Sequence, residues 1–301
     1  MKYIIFIFFI SFSLSAQIRG VVKDSISGEP IPFVNIWVEN ETIGTTSETD
    51  GSFSLDIKEE KLLVFSALGY EIKKASSKSE VILLKPKVVE LKEVVIEQPK
   101  FKKEIEIGNY KTSGFRIGLG NINSAIFFNP NNEDMLVYPF LKEVVFLTKS
   151  ELENAKIRLN ILSVNSDNSP GESLLDDEII VNVKKGKNKN IVDLSSYRFK
   201  IPKDGFFISL EKLLIEENKY YSEHTYKDNF GKKTTRKSIS IEPELCFVPE
   251  ENDIVWQAAI NGNWTKTKKQ ILKNPKSYEN LLMRKYHDKY LAPSMKIILT
   301  N

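Results

Sequence analysis

Two histidines, one cysteine and many carboxylates are the groups of this 301-residue chain that could make or break bonds. A hydrolytic zinc site needs nitrogen and carboxylate ligands around an open coordination position, in the local form His-x-x-Glu with a distant second His. The histidines are His224 and His287, and three residues after them stand Lys227 and Tyr290, so neither opens such a motif. Ser222-Glu223-His224 holds the residue types of a hydrolase triad, yet neighbours on a strand point to opposite faces. Asp50-Gly51 lacks further carboxylates at alternate positions and reads as a turn, not a calcium loop. Gly114-Phe-Arg-Ile-Gly-Leu-Gly120 does not have G-x-G-x-x-G order and no helical pattern opens after it, so it reads as a bend or bulge. Cys246, the sole cysteine, reads as a buried small hydrophobe and cannot form an intrachain disulfide. Glu and Asp are plentiful, but no spacing selects the pair that glycoside hydrolysis requires. The expectation is a chain with no catalytic residue, no metal and no cofactor.

Recognition chemistry is better represented. Tyr220-Tyr-Ser-Glu-His-Thr-Tyr226 is the densest polar-aromatic segment, and Tyr220, Tyr221, Tyr226, Trp256 and Trp264 are the candidate ligand contacts. Aromatic faces stack on apolar sugar faces much as they stack on one another, although the same residues also fill β-rich cores. The run Lys184 to Lys189 reads as a solvated hairpin tip. A net charge of +3 over 43 basic and 40 acidic residues is a mixed surface that argues against nucleic acid as a partner. Envelope proteins and glycans remain as candidate partners.

The elements that would position these residues begin after residue 16. Met1-Lys2-Tyr3, an apolar run from Ile4 to Leu14, and Ser13-Leu-Ser-Ala16 have the form of a signal peptide cleaved before Gln17. The run is about half of the roughly 20 apolar residues that a spanning helix needs. No later stretch is long and apolar enough to span as a helix, so the expected location is periplasmic, outer-membrane associated or extracellular.

From Gln17 to Pro86, about seven short alternating runs are separated by turn residues, which is a sandwich count. Gly28, Gly44, Asp50, Gly51 and Gly69 fall at the expected turns, with Phe33, Ile36, Phe53, Leu55 and Tyr70 as the bulky core groups. Six blocks in order, Gly20-Val-Val-Lys-Asp24, Gly28-Glu-Pro-Ile-Pro-Phe-Val-Asn-Ile36, Gly44-Thr-Thr, Thr49-Asp-Gly-Ser-Phe53, Phe65-Ser-Ala-Leu-Gly-Tyr70 and Leu83-Leu-Lys-Pro86, resemble the carboxypeptidase regulatory-like domain family. That resemblance implies a transthyretin-like, Greek-key β-sandwich that accompanies a peptidase but is not one.

Residues 87–103 are read as a linker or last strand. Within them Leu91-Lys-Glu-Val-Val95 resembles the join in TonB-dependent outer-membrane receptors, where a plug and a barrel follow. About 200 residues remain here, too few for both.

Residues 104–301 are again strand-like. Ala125–Phe128, Lys142–Leu147, Lys156–Leu162, Glu178–Val183, Asn190–Leu194, Phe206–Leu210 and Ile254–Ile260 predict an all-β domain, a second sandwich or jelly roll. One helix is expected over Ser277 to Tyr290, with Tyr278, Leu281, Leu282 and Tyr286 on one face. Together these features point to an exported, non-enzymatic binding or structural module of the envelope. The alternatives are an accessory component of a TonB-dependent uptake or secretion assembly, and a divergent glycan hydrolase.

Overall fold

The computed structural model describes residues 17–87, 102–117, 120–129, 133–227, 231–274, 276 and 283–301. The leader, residues 88–101 of the connector and residues 277–282 of the expected helix lie outside the described residues.

The first module holds β1 (Gln17–Asp24), β2 (Asn35–Val38), β3 (Gly44–Thr46), β4 (Ser52–Asp56), β5 (Leu62–Ser66), β6 (Lys73–Ser76) and β7 (Val81–Leu84). They form two facing sheets, ordered β4-β1-β7 and β3-β2-β5-β6. Alternation puts Val22, Ile36, Val38, Phe53, Leu55, Ile82 and Leu84 between the sheets, and Phe53 meets Phe65 edge to face at 5.6 Å. Leu63, Val64 and Phe65 are all buried, as the unbroken apolar run of β5 requires.

Turn chemistry follows the sequence at most of the expected positions. Gly28, Gly51 and Gly69 have positive φ, and Asp50 Oδ1 accepts from the Ser52 N–H at 2.9 Å. Gly44 is different, because it lies inside β3 and not at a turn. A Cβ there would stand 2.4 Å from the Ile36 carbonyl oxygen and 2.8 Å from Ile260 Cγ2, so the requirement is close approach.

The second domain contains β8 (Glu104–Asn109), β9 (Phe115–Arg116), β10 (Asn123–Phe128), one helical turn α1 (Glu133–Val137), β11 (Phe140–Ser150), β12 (Ala155–Val164), β13 (Pro170–Ser173), β14 (Ile179–Val183) and β15 (Gly186–Asp193). Then follow β16 (Phe206–Lys212), β17 (Lys219–Lys227), β18 (Lys233–Ile241), β19 (Glu244–Glu250), β20 (Val255–Ala258), β21 (Thr265–Lys266), β22 (Tyr290–Pro293) and β23 (Met295–Thr300). One sheet runs β13-β12-β16-β10-β20-β21 with β14 also on β12, and the other β22-β19-β11-β23-β8 with β15 also on β11. Ile126, Ile157, Leu159, Phe206 and Ile208 of the first sheet face Val144, Phe146, Leu245, Ile297 and Leu299 of the second. The chain is therefore all-β, two sandwiches in succession.

Two local expectations are corrected. Lys184–Lys189 is not a hairpin tip, since β14 pairs with β12 and β15 with β11, and the segment carries the chain from one sheet to the other. The described end of the expected helix is a single 3-10 turn, Arg284–Tyr286, and Tyr290 opens a strand. Tyr286 is drawn into the core, where its hydroxyl donates to the Phe247 carbonyl at 2.6 Å, and Asp288 at φ 57 redirects the chain.

The two sandwiches are joined by a buried contact. Phe33, read as a core residue of the first module, instead leaves it at φ 55 and inserts among Leu213, Ile215 and Ile180. Its carbonyl accepts from Arg158 Nη2, and Arg158 also reaches Asn35 at 3.3 Å, Glu178 at 2.6 Å and Glu211 at 3.2 Å. Leu214 extends the joint, its N–H donating to Thr46 Oγ1 at 3.0 Å and its carbonyl accepting from Thr45 Oγ1 at 3.2 Å. Arg158 is only 6% exposed. Burial pushes the Glu178 carboxyl up and the guanidinium opposes that push. Arg158→Ala leaves two carboxylates without their cation, so urea unfolding is expected to show a loss of about 3 kcal/mol or more. A loss within about 0.5 kcal/mol would mean that the joint does not depend on this cluster.

Candidate functional site

A concavity of about 730 Å³ opens beside β8, β10, β20, β22 and β23. Its apolar walls are Ile107, Ile126, Phe128, Ile254, Ala292 and Met295, which belong to or pack against the core between the two sheets, and Phe127, which packs on the other face of β10 with Phe207; Asn129 also lines it. This size and apolar lining are those of small-molecule sites. Gly108 lies in the wall at φ +121, where a Cβ would sit 2.8 Å from the Met295 carbonyl oxygen. Strand β8 can approach β23 there only because the side chain is missing.

A polar corner closes one end of this groove. β19 ends at Glu250 and the chain turns toward β20 within four residues. Glu250 Oε1 accepts from the N–H groups of Glu251 and Asn252 and from Asn252 Nδ2, each at 2.9 Å. Asn109 Nδ2 from β8 donates to Glu250 Oε2 at 3.1 Å and to the Pro249 carbonyl at 2.9 Å. Glu250 is thus held by four neutral donors at 7% exposure.

The residues expected to contact ligand lie elsewhere, in two places. Trp256 and Trp264 pack with Ala125, Leu162 and Phe207 in a small cluster, with Trp256 edge to face on Phe207 at 6.2 Å. Tyr220, Tyr221 and Tyr226 lie on β17, which pairs only with β18 in a two-stranded ribbon among the described residues. Tyr220 and Tyr226 share one face of that ribbon and Tyr221 takes the other. Tyr221 is 60% exposed and its hydroxyl donates to Glu216 at 2.6 Å. The five aromatics therefore do not form a row. Among the groups weighed for chemistry, His287 Nδ1 accepts from the Leu272 N–H at 3.2 Å, His224 sits on the ribbon, and burial pushes the Cys246 thiol up.

Asn109, Glu250 and Asn252 were not singled out by sequence. The only trace is Pro249-Glu-Glu-Asn-Asp253, a polar turn after an apolar strand, a pattern common to many loops.

A second ionic cluster lies near Gly120. Lys212 Nζ donates to the carbonyls of Gly120 and Ile241 at 3.1 and 3.2 Å and to Glu244 at 3.1 Å, which uses all three protons. Glu242 is wholly buried, and its Oε1 accepts from Ser240 at 3.0 Å while Oε2 meets no donor among the described residues. Burial, with the nearby Glu244 adding to it, raises the Glu242 carboxyl above its ordinary value.

Comparison with known proteins bears on the first module. Residues 18–96 match the family model of the CarboxypepD_reg-like domain, as the six sequence blocks implied. Over 93 residues the chain is 32% identical to the TonB-dependent receptor SusC of Bacteroides thetaiotaomicron, covering 31% of this chain and 9% of that receptor.

Glu242 provides a pH test. An acid whose folded pKa is raised loses stability as pH climbs from its ordinary value, near 4.5, through the raised one, and the full penalty applies above the raised value. Glu242→Gln is expected to stabilise the protein at pH 7 by about 1–3 kcal/mol, with the gain shrinking toward pH 4. A gain that does not vary with pH would refute the burial argument.

Proposed function

We propose that this chain is an exported envelope protein that works by binding and not by catalysis, with its ligand site in the groove of the second domain. The observation that carries this reading is the groove itself, ligand-sized, walled by apolar side chains and closed by a hydrogen-bonded polar corner. Among the described residues Glu250 is the one carboxylate in the lining, with no second carboxylate opposite, as paired acid and base chemistry would need. No cluster of three or more metal-ligating side chains occurs among the described residues.

The first module supports an envelope role by its kinship with the receptor's matching stretch. Val81 and Leu83 on β7 expose apolar side chains, which suits docking to another envelope protein and keeps the accessory reading as the second one. The glycan reading draws less support, because the candidate aromatics are divided between two half-buried tryptophans on one small cluster and two faces of a ribbon.

The neutral fluorophore N-phenyl-1-naphthylamine tests the groove with a probe that needs only apolar walls. Residues 17–301 are expected to bind it at one site, and Ile254→Trp, which fills the groove from β20's side, to abolish binding with the melting temperature little changed. Fluorescence unaffected by Ile254→Trp would place binding elsewhere and remove the groove from this proposal. For export, N-terminal sequencing of the protein from cell fractions is expected to start at Gln17, and a chain retaining Met1 would overturn it.

A further inference from the structure

Glu250 brings a carboxylate to the groove that no side chain among the described residues pairs as a cation. Its four hydrogen-bond donors, two backbone N–H groups and the amides of Asn109 and Asn252, are all neutral. No Lys, Arg or His among the described residues lies within ion-pair distance of it. The adjacent acids are different, since Glu251 pairs with Lys289 at 2.5 Å and Asp253 with Lys266 at 3.0 Å. A carboxylate offers about four acceptor sites, two on each oxygen. Three donors meet Oε1 and one meets Oε2, so Oε2 keeps a place for another donor.

The bland account is that Glu250 is present to close the turn from β19 to β20. That explains the Oε1 contacts, because short polar side chains commonly cap a turn in this way. It does not explain the charge. Turn closure is achieved as well by Asn, which brings no ionic cost, whereas a buried unpaired carboxylate is costly.

The remaining lining selects against other heads. No cationic side chain among the described residues lines the groove, so an anionic ligand would meet repulsion from Glu250 and no counter-charge from them. Apart from Asn129 and the corner of Asn109, Glu250 and Asn252, the described lining is Gly108 and apolar side chains, among them Ile107, Ile126, Phe128, Ile254, Ala292 and Met295, which offer nothing to the hydroxyls of a polar ligand.

We propose that the groove binds an amphipathic cation, an apolar body lying between the sheets with an ammonium group donating to Glu250 Oε2. Low exposure strengthens that contact relative to one in water, and the ligand supplies the positive charge that the protein omits. The inference rests on the groove being the ligand site, and it adds the sign of the head group.

Three eight-carbon probes that differ only in their heads test it: octylammonium, octanol and octanoate, each titrated calorimetrically into residues 17–301 at pH 7. Octylammonium is expected to bind at least about tenfold tighter than octanol, with octanoate weakest. In Glu250→Gln that preference is expected to collapse to within about twofold, while N-phenyl-1-naphthylamine still binds and so reports an intact groove. Ile254→Trp is expected to weaken all three probes together. Octanoate binding as tightly as octylammonium, or a cation preference that survives Glu250→Gln, would overturn the inference. If octanol and octylammonium bind alike and both are lost in Ile254→Trp, the groove stands and the cation does not. If no probe binds, the fluorophore included, the groove reading itself fails.

Discussion

A buried guanidinium must have its charge met and its donors filled, and Arg158 meets both demands only when the two sandwiches are together. Glu178 and Glu211 come from the second domain, while Asn35 and the carbonyl of Phe33 come from the first. Separation would leave Arg158 with carboxylates on one side and open donors on the other. The same contact explains why Phe33 tolerates φ 55, a region that bulky residues avoid. Its ring is buried among Leu213 and Ile215 and its carbonyl is bound, so both ends of the residue favour the strained backbone. Inter-domain contacts are commonly loose, but this one combines apolar insertion, an ion cluster and backbone hydrogen bonds.

That joint orients what lies beyond it. Residues 33–48 supply the first module's main contacts, so the sheet β4-β1-β7 makes none of those named across the joint. The groove lies in the other domain and is built where its two sheets part, with Gly108 letting β8 run close to β23. Joint and groove share β12's sheet but no side chain, so each can be altered separately.

The first module was legible in the sequence because its signals are local. Turn residues such as Gly28, Asp50 and Gly51 force a backbone angle or fill one, and β-branched alternation sets each strand's inward face. In the second domain the strands were legible for the same reason and the partners were not. Nothing local distinguishes Lys184–Lys189 as a crossing between sheets from a hairpin tip, since pairing is decided by residues far away in the chain. Tyr286 shows the limit in another form. Helical spacing placed it on an apolar face, but burial of its ring against Phe115 and a hydroxyl contact with Phe247 outweighed that weak local preference. Glu250 and Asn109 are 141 positions apart and become a site only through tertiary structure.

Three ionisable groups that could suggest catalysis are already committed to structure. Lys212 gives its three protons to three acceptors, Arg158 binds two carboxylates and a carbonyl, and His287 accepts from a backbone N–H. A group so engaged cannot trade protons or attack without first breaking contacts that hold the fold. Glu250, like the buried Glu242, is unmatched in charge among the described residues, but it lies at the groove and is saturated in hydrogen bonds on one oxygen. An unmatched charge beside an apolar groove is poorly suited to chemistry by itself and well suited to selecting a ligand by sign. Because a stretch covering 9% of a much larger receptor is similar to the regulatory-like module, the proposed selectivity is assigned to residues 104–301 and not to the module.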